Sequence, residues 1–273
     1  MIALVPLLAA LVAFGLYFFY KRWRDQALLN KPFPGDWLAI VESRLPIYSA
    51  LSQEEQSQLR QRIKFFIDRK QFYGCAGLAL TDEIRVTIAA EACLLLLNKN
   101  RPIYPKLTAI LVYPTAFRVE REQRQADGTI ASGSRGMRGE SWDNGRVILS
   151  WDDVEKGARD FTDGHNVVLH EFAHQLDAES GSTNGAPLLR RNSYTAWARI
   201  FSNNFKDLDA RSITGLKTVM DEYGATNPAE FFAVATETFF EKPHQLYKRR
   251  PELYEELRTY YQLDPRDWHG HSA

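Results

Sequence analysis

Residues 2–20 form an uncharged run in which Leu, Val, Ala and Phe dominate, interrupted only by Pro6 and Gly15. A helix rising about 1.5 Å per residue over that length covers roughly the 30 Å hydrocarbon core of a bilayer. Lys21, Arg22 and Arg24 come immediately after it. A cleavable signal peptide carries its basic residues before the apolar run, so the expectation is a retained anchor, with cleavage and export as the alternative. The positive-inside rule places the N-terminus outside and the bulk of the chain in the cytoplasm. The expected organisation is an anchor with a basic flank over residues 1–24, a linker over 25–35 that ends in the polar, Pro-containing stretch Asn30–Gly35, and one domain over 36–273.

Behind the anchor the pattern turns to short amphipathic and buried segments. Ser52-Gln53-Glu54-Glu55 has the form of a capping box, and Leu59, Ile63, Phe66 and Ile67 give the helix it opens an apolar stripe read as core. Residues 84–97 read as a buried helix. Strands are predicted at 107–113, halted by Pro114, at 117–120, and at 146–151 after the Asn144-Gly145 turn, with a polar excursion over 125–138. The strand at 146–151 is read either as plain core or as a sheet edge along which an extended peptide adds a strand. Further helices are predicted around 194–205, after Asn227-Pro228, and over about 251–262, with Pro243 as a break. The class is therefore α+β, mostly helical with a small sheet.

The helix expected between Asp163-Gly164 and Gly181 contains His170-Glu171-Phe172-Ala173-His174, surrounded by Val167, Val168, Leu169, Gln175 and Leu176 without a charged neighbour. Histidines at i and i+4 project from one helical face and reach one metal ion, while Glu171 is turned aside toward a water on that ion, the position of a general base. A surface helix would not be flanked by such an apolar run. A catalytic zinc takes three protein ligands, so a third is needed. Glu230 and Glu237, two turns apart on one face of the helix opened by Asn227, are candidates; Glu230 could instead close a capping box. Asp177 is a further candidate, better suited to orienting a ligating histidine. Tyr223, on the turn before that helix, has a phenol able to bond a developing oxyanion, as well as a reading as a core aromatic, which is also the reading of Tyr260. Of the remaining histidines, His165 is placed near the first turn of the motif helix, and His244, His269 and His271 at the surface.

Composition changes little. The chain has 273 residues, 45% hydrophobic and 25% charged, ample for a core. Lys+Arg and Asp+Glu are equal at 34, so no global field favours nucleic acid. Cys75 and Cys93 lack metal or disulfide spacing and read as reduced thiols.

The run from Asp163 to Asp177, followed by Asn184-Gly185-Ala186-Pro187 and by Asn227-Pro228-Ala229-Glu230-Phe231-Phe232-Ala233-Val234, resembles the Mlc titration factor A family of zinc-dependent peptidases. The likeness extends through residues 77–83 and Gly139-Glu140-Ser141-Trp142 and covers most of the chain after about residue 35. It implies a zincin-like fold similar to the catalytic core of the anthrax lethal factor protease. It further implies that His170, His174 and Glu230 bind zinc, that Glu171 is the base and that Tyr223 faces the reacting carbonyl. The choice of Glu230 over Glu237 comes from the resemblance. The implied partners are a peptide or protein substrate and a transcriptional repressor, the second allowing a rival reading as a regulator that sequesters it. The apolar N-terminus departs from the soluble members of the family.

Overall fold

A computed structural model describes the backbone of residues 4–270, apart from 116, 119–120, 125–129, 134–135, 138 and 143–144, and the side chains of residues 12–115 and 145–270. Ten α-helices are described: α1 Leu4–Asn30, α2 Gly35–Arg44, α3 Gln53–Arg69, α4 Asp82–Leu94, α5 Trp151–Arg159, α6 Val167–Ala178, α7 Tyr194–Ile213, α8 Pro228–Glu241, α9 Pro243–Arg249 and α10 Pro251–Tyr261. The strands are β1 Gln71–Gly74, β2 Ala109–Tyr113, β3 Phe117–Arg118, β4 Arg121–Arg124, β5 Ile130–Gly133, β6 Gly136–Met137, β7 Gly139–Trp142 and β8 Arg146–Ser150. The main sheet has the order β1-β2-β8-β7. Its first three strands are parallel and β7 is antiparallel to β8, while β3–β6 and β4–β5 form two-stranded ribbons.

The expected α+β class is therefore observed, with local corrections. β8 is an interior strand paired on both sides, so it offers no edge to a peptide; the edge on that side is β7, which runs alongside α6. Trp151 leaves the strand and opens α5, because Ser150 accepts from the Asp153 amide and caps a helix there. Pro243 marks a break as expected, since α8 ends at Glu241, and it opens a short further helix, α9, in whose first turn its missing N–H costs nothing. α7 runs eight residues beyond the expected end. The capping box of α3 forms as expected, with the Ser52 hydroxyl accepting from the Glu55 amide and the Glu55 carboxylate accepting from the Ser52 amide.

At the N-terminus the expected span Ile2–Tyr20 lies partly outside the described residues. Among the described residues no helix is long and apolar enough to cross a membrane. The structure shows α1 continuing without a break through residues 25–30, where a linker was expected. The physical reason is α3. Arg24 pairs with Asp68 at 3.2 Å and Asp25 with Arg69 at 2.7 Å. Lys64 donates to the carbonyls of Leu28, Leu29 and Lys31 at 2.9, 3.1 and 2.6 Å, satisfying groups that the end of a helix leaves without partners. Phe14, Tyr17, Phe18, Phe19, Tyr20 and Trp23 on α1 are exposed.

The core lies between the sheet and the helices α3, α4, α6, α8 and α10. Phe172, inside the motif helix, packs with its ring centroid 5.6 Å from that of Phe66 and 4.8 Å from that of Tyr104. That contact fixes the rotation of α6: with Phe172 turned into the core, His170 and His174 face the opposite way. Cys93 is buried and Cys75 is partly exposed, and both are free thiols.

Candidate metal centre

α6 is capped by Asn166, whose side chain accepts from the Leu169 amide at 2.9 Å, and not by Asp163. Asp163 instead accepts from the His165 amide and shapes the entry, which needs Gly164 at φ +77. The helix is thus three turns long where four were expected. α8 starts as its sequence dictates: Asn227 accepts from the amides of Ala229 and Glu230, and Pro228 sits in the first turn. Glu230, the third residue of α8, does not fold back as a capping box. Its carboxylate reaches across to α6.

Three donors converge there. The Nε2 atom of His170 lies 3.0 Å from Glu230 Oε2, that of His174 lies 3.3 Å from the same oxygen, and the two Nε2 atoms are 3.3 Å apart. Four-coordinate zinc with bonds of about 2.0–2.1 Å holds its ligands roughly 3.3 Å from one another, so this triangle has the dimensions of one face of such a site. Two imidazole lone pairs and a carboxylate oxygen turned toward one point repel unless a cation or proton lies between them. Among the described residues, His170, His174 and Glu230 are the group that could hold a metal ion. Glu237 and Asp177 stand outside it.

Glu237 supports the site from behind. Its Oε1 lies 2.7 Å from His170 Nδ1 and its Oε2 accepts from the Asn166 amide at 2.6 Å. One carboxylate therefore fixes the tautomer that leaves His170 Nε2 free for a metal, and at the same time ties the first turn of α6 to α8. Asp177 does not orient a histidine. It is fully buried and accepts from the Gly185 amide at 2.6 Å, and burial lifts its carboxyl to about 6 against the opposing amides of Gly185, Ala186 and Asn184.

The electrostatics follow the same contacts. Burial disfavours a charged ring at His170, yet the carboxylates of Glu237 and Glu230 outweigh it and raise its pKa well above the ordinary value, with a further contribution from Glu171. Burial, helped by the neighbouring His170, lowers His174 despite Glu230. For Glu230 burial works upward, and the two imidazoles overcome it to hold the carboxyl well below the usual carboxylate range. Glu171 is buried beside the donors, 3% exposed. Tyr223 lies in a single 3-10 turn, Glu222–Ala225, capped by Asp221, with its ring centroid 5.9 Å from that of His170 and 44% of its surface exposed. It is no core aromatic. Tyr260 is one, packed against Trp197 and Phe232.

The structure also brings in groups the sequence reading passed over. Glu241, one turn after Glu237, accepts from the amides of Gly164 and His165 at 2.8 and 3.0 Å. Glu91 of α4 is buried beside it, and burial pushes Glu91 up to about 8 and, with repulsion from Glu237, Asp163 and Glu91, pushes Glu241 to about 9. The signal that could have found them is a carboxylate set among apolar neighbours on a buried helix: Glu91 between Ala90 and Ala92 on α4, and Glu241 after Phe239 and Phe240 on α8. His244 and His269 are half-buried and not at the surface: His244 Nε2 lies 3.1 Å from the His269 carbonyl, and His269 Nε2 lies 2.8 Å from that of Phe240. His271 lies outside the described residues.

An uncharacterized protein of Synechocystis is 45% identical over 267 residues, 97% of each chain. Mlc titration factor A of Serratia proteamaculans is 33% identical over 224 residues, 81% of this chain and 85% of that one. The same factor of Pectobacterium atrosepticum is 32% identical over 232 residues, 84% and 86%. The profile of the glucose-regulated metallo-peptidases M90 matches residues 20–262 and so takes in α6, Tyr223 and α8 whole. The chain belongs to the metallo-peptidase M90 family, together with the Mlc titration factors A.

Proposed function

We propose that this protein is a zinc-dependent metallopeptidase. The observation that carries the reading is the triangle of His170, His174 and Glu230 donors, 3.0–3.3 Å on a side, in a chain of a metallopeptidase family. Zinc held there would polarise a carbonyl oxygen and bring the pKa of a water to about 7. Glu171, next to His170 on the helix, accepts the proton of the attacking water and returns it to the leaving amine. The phenol of Tyr223 donates to the oxygen of the scissile carbonyl as negative charge builds on it. Glu237 keeps His170 in the metal-binding tautomer. In a Glu171→Gln variant zinc should remain bound while turnover of a peptide panel falls by at least about 100-fold, the usual contribution of a positioned base. Unchanged turnover would remove the mechanism, and zinc retained in full by both His170→Ala and His174→Ala would remove the site.

The names of the relatives favour a second activity. The Mlc titration factors A are named for a repressor, which supports binding of a transcriptional repressor by this chain, alongside hydrolysis or with hydrolysis incidental. Partner capture that survives Glu171→Gln separates the two. We further propose that the run Ile2–Tyr20, which begins outside the described residues, anchors the enzyme in a membrane with the catalytic domain on the cytoplasmic side. The reading is supported by the uncharged run from Ile2 to Tyr20, by the exposed aromatic side chains of α1 and by Lys21, Arg22 and Arg24 after them.

A further inference from the structure

The segment Asn184-Gly185-Ala186 joins α6 and α8, the two helices that carry the donors, to α7. Gly185 lies against the start of α8: a Cβ at this position would stand 2.3 Å from the Pro228 carbonyl oxygen and 2.8 Å from its carbon. Its φ of +80 is a second reason that only glycine fits. Its amide donates to Asp177 Oδ2 at 2.6 Å, and Asp177 is on α6, three residues past His174. Its carbonyl accepts from the indole of Trp197 on α7 at 2.9 Å. Asn184 closes the turn by accepting from the Ala186 amide at 3.1 Å. Trp197 stacks on Phe201 with centroids 3.8 Å apart, and Phe201 meets Phe231 and Phe232, the residues next to Glu230.

Glu230 is the third residue of α8, so its carboxylate goes where the first turn of that helix goes. Apolar packing between α6 and α8 is non-directional and holds their separation better than their axial register. A metal centre needs its ligands within about 0.5 Å. We propose that Asp177, Gly185 and Trp197 form a clamp that sets the register of α8 against α6 and so positions Glu230 on the metal. They are positioning residues and not ligands.

The inference rests on reading His170, His174 and Glu230 as metal ligands, which the alanine variants at His170 and His174 test separately. For the clamp, zinc affinity and the visible absorption of the cobalt-substituted protein are measured on the full chain in detergent, with the melting temperature of each metal-free variant as the control for folding. Asp177→Ala and Gly185→Ala should bind zinc about 10- to 100-fold more weakly, the size of effect seen when the support of a ligand is removed, and should alter the cobalt spectrum. Asp177→Asn, which keeps an acceptor for the Gly185 amide, should restore most of the affinity. Trp197→Phe removes the indole donor while keeping a stacked ring, and should fold even where Asp177→Ala and Gly185→Ala do not. It should weaken zinc several-fold with a changed cobalt spectrum, while the metal-free chain still melts cooperatively, a few degrees lower because a smaller buried ring leaves a cavity and the Gly185 carbonyl loses its donor. Wild-type affinity and spectrum in folded Trp197→Phe would overturn the clamp. So would an Asp177→Asn variant as weak as Asp177→Ala when both are folded.

Discussion

Replacing Glu91 by Gln should stabilise the protein at neutral pH, by an amount that grows with pH. Glu91 is 1% exposed on α4, and neither carboxyl oxygen has a hydrogen-bond partner of good geometry, although the Asn166 side chain is near. Burial therefore raises the folded-state pKa from 4.5 to about 8. Below pH 4.5 both states keep the proton, and the contribution of the carboxyl to stability is fully present. From there to about pH 8 only the unfolded chain gives the proton up, and stability falls by about 1.4 kcal/mol per pH unit. Across the roughly 2.5 units up to pH 7 this reaches about 3 kcal/mol, as an upper figure. Gln has nearly the same shape, can donate as the neutral acid does, and does not titrate. At 2–4 °C per kcal/mol for a chain of this size, the variant should melt up to about 6–12 °C higher at pH 7. Urea unfolding of both proteins at pH 5, 6, 7 and 8 provides the assay; titrations shared by the two cancel in the difference. A stability difference that is the same at pH 5 as at pH 8, or a variant less stable at pH 8, would refute the reasoning.

Glu230→Ala should release zinc at concentrations that the wild type holds, whereas Glu237→Ala, which loses support to His170 and the tie to the Asn166 amide, should weaken it about 10- to 100-fold; equilibrium dialysis that gave the reverse order would move the third ligand two turns along α8. Ser52→Ala removes the capping box of α3 and should lower stability by about 1 kcal/mol without changing zinc content, read by urea unfolding and metal analysis. A cytoplasm-dependent fluorescent reporter fused after Ala273 should be bright and a periplasm-dependent phosphatase at the same place inactive, with the chain resisting carbonate extraction; the opposite pattern would put catalysis outside the cell.

The centre was legible from the sequence where local rules suffice. Two histidines four residues apart share a helical face whatever surrounds them, and Asn227-Pro228 starts a helix through backbone chemistry alone, so α6, α8 and two of the three donors follow from spacing. The capping box at Ser52 and the buried character of α4 are of the same kind. Which carboxylate completes the centre is not a local question. Glu230 and Glu237 lie on one face, and spacing left them equal; the resemblance to known peptidases chose Glu230. The distances then set one carboxylate against His170 Nε2 and the other against Nδ1, because the axial register of α8 against α6 presents its first turn to the metal side and its third turn to the back of the ring. Asp177, which continues the motif helix, reads as a support for a histidine; it is the anchor of Gly185 instead, because the chain turns back over the end of α6. The strand 146–151 reads equally as core or, from the way peptidases hold an extended substrate, as a sheet edge; a strand's place in a sheet depends on its partners, and β7 pairs along that side of β8. The docking of α1 on α3 and the shared burial of Glu91, Glu237 and Glu241 are likewise tertiary, since residues this far apart in the chain meet only once the helices pack.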